Sequence, residues 1–361
     1  MFSTLKYLNA PDSIEYRDRH FNFKYEKGFL FHSKCFHGVA GDFPIGFLIW
    51  NLQEPRSNNI INVDISNSTG TTIGIKHLKL IDKKDVLNNW FNRPENSKDY
   101  ILPALSNGIT VKQGNADTRH RARPDFLASI CSKGNDFQNA KYVTILSSPN
   151  VSAGAFTVTE NIFDKSLVLF AVRKIPKPTW LNDRNQFLIP NKILPTEFIN
   201  DCIIWSLFSN SNQTTSLRSV KYFNRIYNIR NNFFPFTIDE IKKWEIRDPD
   251  MKIEMVNDTD RFVANWISKN TISEESKRVL SAGRIVYKAF FSNINKMATH
   301  KWKIESWDAG WYQIRRCLVE HGIGKDELEE LSKMHDLLGT KILPQIEEYG
   351  FLDKDEVFDE I

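Results

Sequence analysis

The segment SLRSVKYFNRIYNIRNNFF, residues 216–234, carries the side-chain types that proteins use to contact nucleic acids. It contains no acidic residue, and tyrosine, phenylalanine and asparagine are interleaved with four cations, Arg218, Lys221, Arg225 and Arg230. Arginine can bond a guanine edge bidentately, asparagine can do the same to adenine, and any cation can anchor a phosphate. The composition therefore predicts a DNA contact. An ordinary helix with its aromatic residues in the core and its cations in water would have the same composition.

A second group of cations lies in QGNADTRHRARPDF, residues 113–126. Arg119, Arg121 and Arg123 occupy alternate positions there, after a stretch that contains glycine and asparagine. Such a loop suits insertion toward phosphates, and it suits a solvated loop equally well. A third pair, Arg173 and Lys174, comes at a predicted strand end before a Pro-rich turn. We expect these groups to form one DNA footprint if the fold brings them to one face.

A metal-dependent nuclease is a weaker interpretation. Asp250 lies 25 residues before Glu275-Ser276-Lys277, which imitates the carboxylates and lysine of many such enzymes. That chemistry usually sits on a pair of strands, whereas SEESKRVL has the pattern of a helix start. A serine hydrolase elbow, Gly-x-Ser-x-Gly, and a phosphate-binding loop are both missing from the sequence.

Length and composition are those of a soluble globular protein with two or three domains: 361 residues, of which 41% are hydrophobic and 25% charged. No apolar run is long enough to span a bilayer, and the N-terminus lacks the apolar core of a signal peptide, so we expect a cytoplasmic protein. The four cysteines show no paired spacing, and the loose group His32, Cys35 and His37 is a weak signal. We therefore expect no metal site.

The net charge of +4 is unevenly distributed. Residues 326–361 contain twelve acidic residues and three lysines, a balance of −9, so residues 1–325 carry +13. A basic body of this size raises the electrostatic potential toward a polyanion. The acidic end fits a solvated helix face, a partner surface or a guard against indiscriminate DNA binding.

Hydrophobic patterning predicts an α+β protein. Aromatic-rich runs at 28–36 and 43–50 flank HGVAGD and predict a hairpin, and the Asn- and Ser-rich stretch 53–70 indicates a loop or domain seam. Further strands are predicted at 71–81, 142–146, 155–159 and 166–174, and a helix at 82–92. From residue 195 the period becomes helical, with helices predicted at 195–209, 237–246, 273–293, 305–322 and 326–350, the last kinked or ended at Pro344.

The order of certain blocks resembles one protein family. EKGFLFHSKCFHGVAGDFPIGFLIWNL (26–52) is similar to the last hairpin of a large adenine-specific DNA methyltransferase from restriction–modification systems. The resemblance begins at FSTLKYLNAP (2–11) and continues, in the family's order, through later blocks. These include KPTWLNDRNQFLIPN (177–191), FINDCIIWSLFSNSNQTTSL (198–217), SAGRIVYKAFFSN (281–293), ESWDAGWYQIRRCL (305–318) and ILPQIEEYGFL (342–352).

The resemblance implies three regions: an incomplete edge of the catalytic domain at 1–60, a mixed α/β target-recognition region at 61–194, and a helical C-terminal region at 195–361. It also implies that the aromatic residues Phe43 and Phe47 help to hold a flipped-out base. The family's glycine-rich turn for S-adenosylmethionine and its Pro-Pro-aromatic loop have no counterpart here, since the sequence contains no Pro-Pro dipeptide. This chain is thus expected to hold no cofactor and no catalytic residue of its own.

Three functions remain open at this point. In the first, the chain is the recognition half of a split methyltransferase, and it binds double-stranded DNA and a catalytic partner that carries S-adenosylmethionine. Otherwise it is a stand-alone DNA-binding or assembly protein, or the inactive remnant of an interrupted gene. Because FPIGFLIW (43–50) resembles the final strand of a larger sheet, we expect it to leave an apolar edge or face with too few neighbours.

Overall fold

The computed structural model describes residues 1–106, 108–112, 121–150, 154–244, 261–353 and 356–357. These residues form mixed sheets and helices, which confirms the predicted α+β class. One hydrophobic core lies under the N-terminal sheet, and a much larger one joins the middle and C-terminal parts of the chain.

The N-terminal sheet contains β1 (Phe2–Thr4), β2 (Lys24–His32), β3 (Pro44–Asn51), β4 (Ile60–Ser66) and β5 (Thr72–Lys79). Their order is β1-β3-β2-β4-β5, and the neighbours are antiparallel except for the parallel pair β2 and β4. The predicted hairpin is confirmed as β2 and β3. Its connection uses Gly38 at φ +79°, a conformation that glycine adopts without steric cost.

The segment 53–70, predicted as a loop or seam, contains β4. Its strand pattern is hidden among Asn and Ser: Ile61, Val63 and Ile65 alternate onto the buried face, where they join Leu30 and Leu48. Leu5 and Leu8, just before and within α1 (Lys6–Asn9), pack onto that face, and α2 (Ile14–His20) follows α1 in the chain. The expected boundary after residue 60 therefore falls within β4, inside one sheet, and the three-region division stays a prediction.

The middle of the chain supplies six short strands: β6 (Leu105–Ser106), β7 (Thr110–Val111), β8 (Ala128–Cys131), β9 (Thr144–Leu146), β10 (Ala155–Val158) and β11 (Asn212–Gln213). Four of them form a sheet in the order β10-β8-β9-β11. The strands predicted at 142–146 and 155–159 are confirmed as β9 and β10. A separate two-stranded ribbon, β12 (Leu217–Tyr222) and β13 (Arg225–Ile229), follows directly after this sheet in the chain.

Two predictions in this region are wrong. The predicted strand 166–174 is part of a helix, α3 (Phe163–Lys174), because every residue from Ser166 to Arg173 is buried and a helix surrounded by protein shows no amphipathic period. The predicted helix 82–92 is instead a pair of single 3₁₀ turns, Lys83–Asp85 and Leu87–Asn89.

The predicted C-terminal helices are confirmed as α4 (Thr196–Leu207), α5 (Ile238–Lys242), α7 (Glu274–Ser292), α8 (Trp311–His321) and α9 (Lys325–Glu348), and α6 (Phe262–Lys269) lies between α5 and α7. Pro344 does not end α9. Both Pro344 and Thr340, whose carbonyl loses its helical partner, are exposed, so water can take the missing hydrogen bond. After α9 the chain returns to the first sheet, where β14 (Glu356–Val357) pairs with β5.

Candidate nucleic-acid interface

The basic segment 216–234 forms a β-ribbon, β12 and β13, and not a helix. Its turn residues Phe223 and Asn224 have φ values of +44° and +60°, the backbone of the tight turn that matches strand twist. Antiparallel register places Lys221 opposite Ile226. Those two side chains and Asn228 are exposed, and Ile226 is 74% accessible. The ribbon therefore presents one strand face and its tip to solvent.

All four predicted cations of this segment, Arg218, Lys221, Arg225 and Arg230, are exposed. Three lie on the strands of the ribbon and the fourth follows directly after it. The major groove of B-form DNA is wide enough to accept a two-stranded ribbon, and cations along such a ribbon can reach both phosphates and base edges. This geometry is compatible with contact to DNA.

The two ends of the ribbon are held by buried polar side chains. Before β12, the Ser216 backbone is bound by Gln313 of α8, whose amide accepts from Ser216 N at 3.0 Å and donates to Ser216 O at 3.0 Å. After β13, Asn231 N donates to the buried carboxylate of Asp308 at 3.3 Å. The same carboxylate pairs with Arg261 at 2.6 Å. This bonding fixes the base of the ribbon while its tip projects.

Breaking the ion pair between Arg261 and Asp308 should lower the stability of the folded protein. Because Asp308 is fully buried and Arg261 only 5% exposed, Arg261→Met leaves an uncompensated buried carboxylate. We expect a loss of about 3–5 kcal/mol in the free energy of unfolding, measured by urea denaturation. Arg19→Met, which breaks an exposed pair with Glu15, should cost about 0.3–0.5 kcal/mol. Equal losses for the two variants would contradict this assignment.

Of the second predicted group of cations, Arg119, Arg121 and Arg123, only Arg121 is linked to the ribbon within the described residues. Arg121 pairs through its backbone with Ile101, and the Ile101 carbonyl accepts a hydrogen bond from the Tyr227 hydroxyl of β13 at 3.3 Å. Arg121 is half-buried beside the ribbon's base. Arg123 is engaged locally by Asp125 at 2.7 Å. Arg119 lies outside the described residues.

For Arg173 the structure corrects the prediction. Its side chain is fully buried and donates to the carbonyls of Gly134 (3.0 Å) and Asp136 (3.1 Å), so it is not accessible to a phosphate. Burial lowers the pKa of the Arg173 guanidinium to about 10. Lys174 is half-buried and donates to the Ala140 carbonyl at 3.2 Å, and burial lowers its pKa as well. These cations hold the end of α3 against the loop 132–140.

Phe43 and Phe47 have different surroundings. Phe43 lies just before β3, beneath the guanidinium of Arg184 at 5.7 Å from the ring centroid. Phe47 lies on the outer side of the N-terminal sheet, 5.6 Å from the ring of Phe29 and 6.2 Å from that of Phe2. Their role in holding a base stays a prediction.

Phe47 belongs to a cluster on the outer side of that sheet, which we call the aromatic face: Phe2, Phe29, Phe31, Phe36, Phe47 and Ile49. Five of these six side chains are 38–53% exposed, although all are apolar. The opposite side of the same strands carries the buried core residues Leu30 and Leu48. The strand 43–50 leaves an exposed apolar face, but it is not an edge of the sheet, because β1 and β2 flank β3 on both sides. An exposed apolar surface of this kind typically marks a site of protein interaction.

The nuclease arrangement receives no support. Glu275 and Lys277 lie in the first turn of α7, where Lys341 binds the Glu275 carboxylate at 3.1 Å and Glu274 binds Lys277 at 2.6 Å. Asp250 lies outside the described residues. Within the described part of the chain, no cluster of three or more histidine, cysteine or acidic side chains is arranged to hold a metal ion.

Sequence reasoning did not identify the residues that position the ribbon. Gln313 and Asp308 lie 97 and 77 residues from the backbone groups that they bind, and an isolated buried amide or carboxylate has no local signature. The aromatic face did leave a signal, since Phe29 and Phe31 alternate on one strand.

Compared with family models, with characterised proteins and with solved structures, the chain matches none of them. None of the helices in the described ranges has both the length and the apolar character needed to cross a membrane.

Proposed function

We propose that this chain recognises a DNA target for adenine-specific methylation, and that a partner polypeptide supplies the S-adenosylmethionine site and the catalysis. The observation that carries the proposal is the β-ribbon: an anchored, projecting hairpin with four exposed cations and no acidic residue in residues 216–234. Such a surface attracts polyanions, and the ribbon shape fits the DNA major groove.

Recognition requires contacts with base edges in addition to phosphates. Among the described residues, Lys221 and Arg225 make no ion pair, and Asn228 is exposed on the same ribbon. An Arg bound bidentately to guanine, or an Asn bound to adenine, discriminates between bases by about 1–3 kcal/mol. The +13 charge of residues 1–325 supports this by attracting DNA before specific contacts form.

The aromatic face supports the part of the proposal that concerns a partner. Strand β1 is the edge of its sheet, so its outer backbone groups lack a neighbouring strand among the described residues, and the aromatic face begins on the same strand with Phe2. A polypeptide that adds to this edge would cover both polar backbone and apolar rings. A stand-alone protein that only binds DNA would have the same ribbon but would gain nothing from this exposed face.

Binding of duplex DNA tests the proposal directly. We expect fluorescence anisotropy with labelled random-sequence duplexes to show binding at 50 mM salt, with affinity falling as salt rises. If the four ribbon cations each neutralise a phosphate, the slope of log K against log salt is about −3.6. Absence of binding at 50 mM salt, by the chain alone and by the chain with its co-purified partner, would refute the function.

A further inference from the structure

A groove of about 710 Å³ lies between α9 and the loop that follows α3, residues 175–185. Side chains on one side of α9 line it at intervals of one helical turn, from Asp336 to Glu347. That stretch of helix extends about 16 Å, which is also the length of about five residues of extended chain. The groove therefore suits a long, narrow ligand.

The floor of the groove is apolar except for one hydrogen-bond donor. Phe137, Leu181 and Trp205 contribute to it, and each is at most 7% exposed. The indole N–H of Trp205 donates to no acceptor in the part of the chain that the structure describes. Because a buried donor is stabilised by an acceptor, the floor favours a ligand that carries a carbonyl or carboxylate oxygen.

Gly339 leaves the indole nitrogen of Trp205 accessible from the groove. A Cβ atom on Gly339 would lie 3.2 Å from that nitrogen, closer than an ordinary van der Waals contact. Glycine in the interior of a helix lowers helix stability relative to alanine, so its presence in α9 is unfavourable locally. The missing side chain provides room for an acceptor above the indole.

The two walls of the groove carry different charges. On α9, Asp336 and Glu347 are exposed, and neither carboxylate makes an ion pair with a described residue. The loop contributes the exposed ammonium of Lys177 and the amide of Asn185. Asp353 adds a third carboxylate to the lining. Three carboxylates and one ammonium favour a cationic ligand and disfavour a nucleic acid or a free phosphate.

Both sides of the groove are held in place by hydrogen bonds. The Asn182 side chain accepts from Thr179 N at 2.7 Å and donates to Lys177 O at 3.0 Å, which fixes the loop. His335 of α9 stacks on the indole of Trp205 at 4.6 Å between ring centroids and donates to the Trp205 carbonyl at 2.8 Å. Little ordering of the protein is therefore needed for a ligand to bind.

We propose that this groove binds an extended segment of a partner protein, about five residues long, that carries lysine or arginine side chains. A backbone carbonyl of the segment accepts from the Trp205 indole, and its basic side chains pair with Asp336 and Glu347. A polypeptide supplies the acceptor, the cations and the length in one molecule. The site goes beyond the proposed function, since it involves neither the ribbon nor the aromatic face.

The test measures binding of labelled hexapeptide pools by fluorescence anisotropy. One pool has lysine fixed at its first and fifth positions, about 13 Å apart in an extended chain, with the other positions randomised. A second pool has glutamate at both fixed positions. We expect saturable binding of the lysine pool to the wild-type chain and binding of the glutamate pool about 10-fold weaker, because each exposed ion pair contributes up to about 5-fold.

Two variants test the assigned contacts. Asp336→Asn combined with Glu347→Gln should reduce the preference for the lysine pool by about 2- to 30-fold. Gly339→Ala covers the Trp205 indole nitrogen and should weaken binding of the lysine pool by about 5-fold or more, since the hydrogen bond to the ligand is lost. Alanine is the better helix former, and thermal unfolding should show that this variant keeps its fold.

A matched variant separates the groove from the general acidity of α9. Glu329→Gln combined with Glu330→Gln removes the same charge from exposed positions of α9 outside the groove, and it should bind like the wild type. An equal loss in this variant would overturn the proposal. Equal affinity for the two pools, no saturable binding up to about 1 mM, or full binding by Gly339→Ala would also overturn it. None of these results bears on DNA binding, because the ribbon lies outside the groove.

Discussion

Replacing Lys221 and Arg225 by alanine together should weaken binding of duplex DNA by about 30-fold or more at 100 mM salt, given about 1–3 kcal/mol for each of the two side chains. Both side chains are exposed on the ribbon and neither makes an ion pair within the described residues. The salt dependence should fall as well, because the slope of log K against log salt decreases by about one for each phosphate that the variant no longer binds. Fluorescence anisotropy over a series of salt concentrations measures both quantities.

The control for this variant removes the same charge elsewhere. Lys325 and Lys333 are both exposed on α9, at the acidic end of the chain, and the double change to alanine there lowers the net charge by the same amount. We expect it to leave the salt slope unchanged. If the two double variants lose affinity equally, the body's overall charge binds DNA and the ribbon is not the DNA-binding surface.

The aromatic face should determine whether a partner is captured. Phe29→Glu combined with Phe47→Glu places two charges on a surface where those rings are 40% and 39% exposed. Burying one phenylalanine contributes about 1.5–3 kcal/mol, so removing two should weaken binding of a partner by at least about 100-fold. We expect the tagged wild-type chain, but not the variant, to co-purify from its native host with a polypeptide that contains the glycine-rich turn and the Pro-Pro-aromatic loop, identified by mass spectrometry.

A matched variant tests whether position matters. Ile285 and Val319 are exposed apolar residues on α7 and α8, 51% and 59% accessible. Changing both to glutamate alters the net charge by the same amount but on another surface. This variant should retain the partner. Recovery of the wild-type chain without such a polypeptide would contradict the split methyltransferase, and retention by both variants would place the partner elsewhere. Size-exclusion chromatography should show the wild-type chain, and not the Phe29/Phe47 variant, associating when isolated.

The sequence alone determined those elements whose burial differs between their two sides. The long helices α7 and α9 each have one face in a core and one in water, so their hydrophobic period is visible in the residues. The hairpin of β2 and β3 has apolar side chains on both faces, and its apolar runs and the glycines between them predicted it. α3 was not predictable, because burial on all sides removes the period that separates a helix from a strand.

The location of the candidate interface was decided only by tertiary structure. The sequence showed cations at 119–123, 173–174 and 218–230, but it did not show which of them are buried and which are exposed. An arginine has the same guanidinium group whether it lies in water or among backbone carbonyls. In the folded chain Arg173 is buried at the end of α3. Arg121 and Tyr227 both contact Ile101, through a backbone bridge and a hydrogen bond respectively. Contacts between residues that are 47 to 126 positions apart form only when the chain has folded, and no local pattern encodes them.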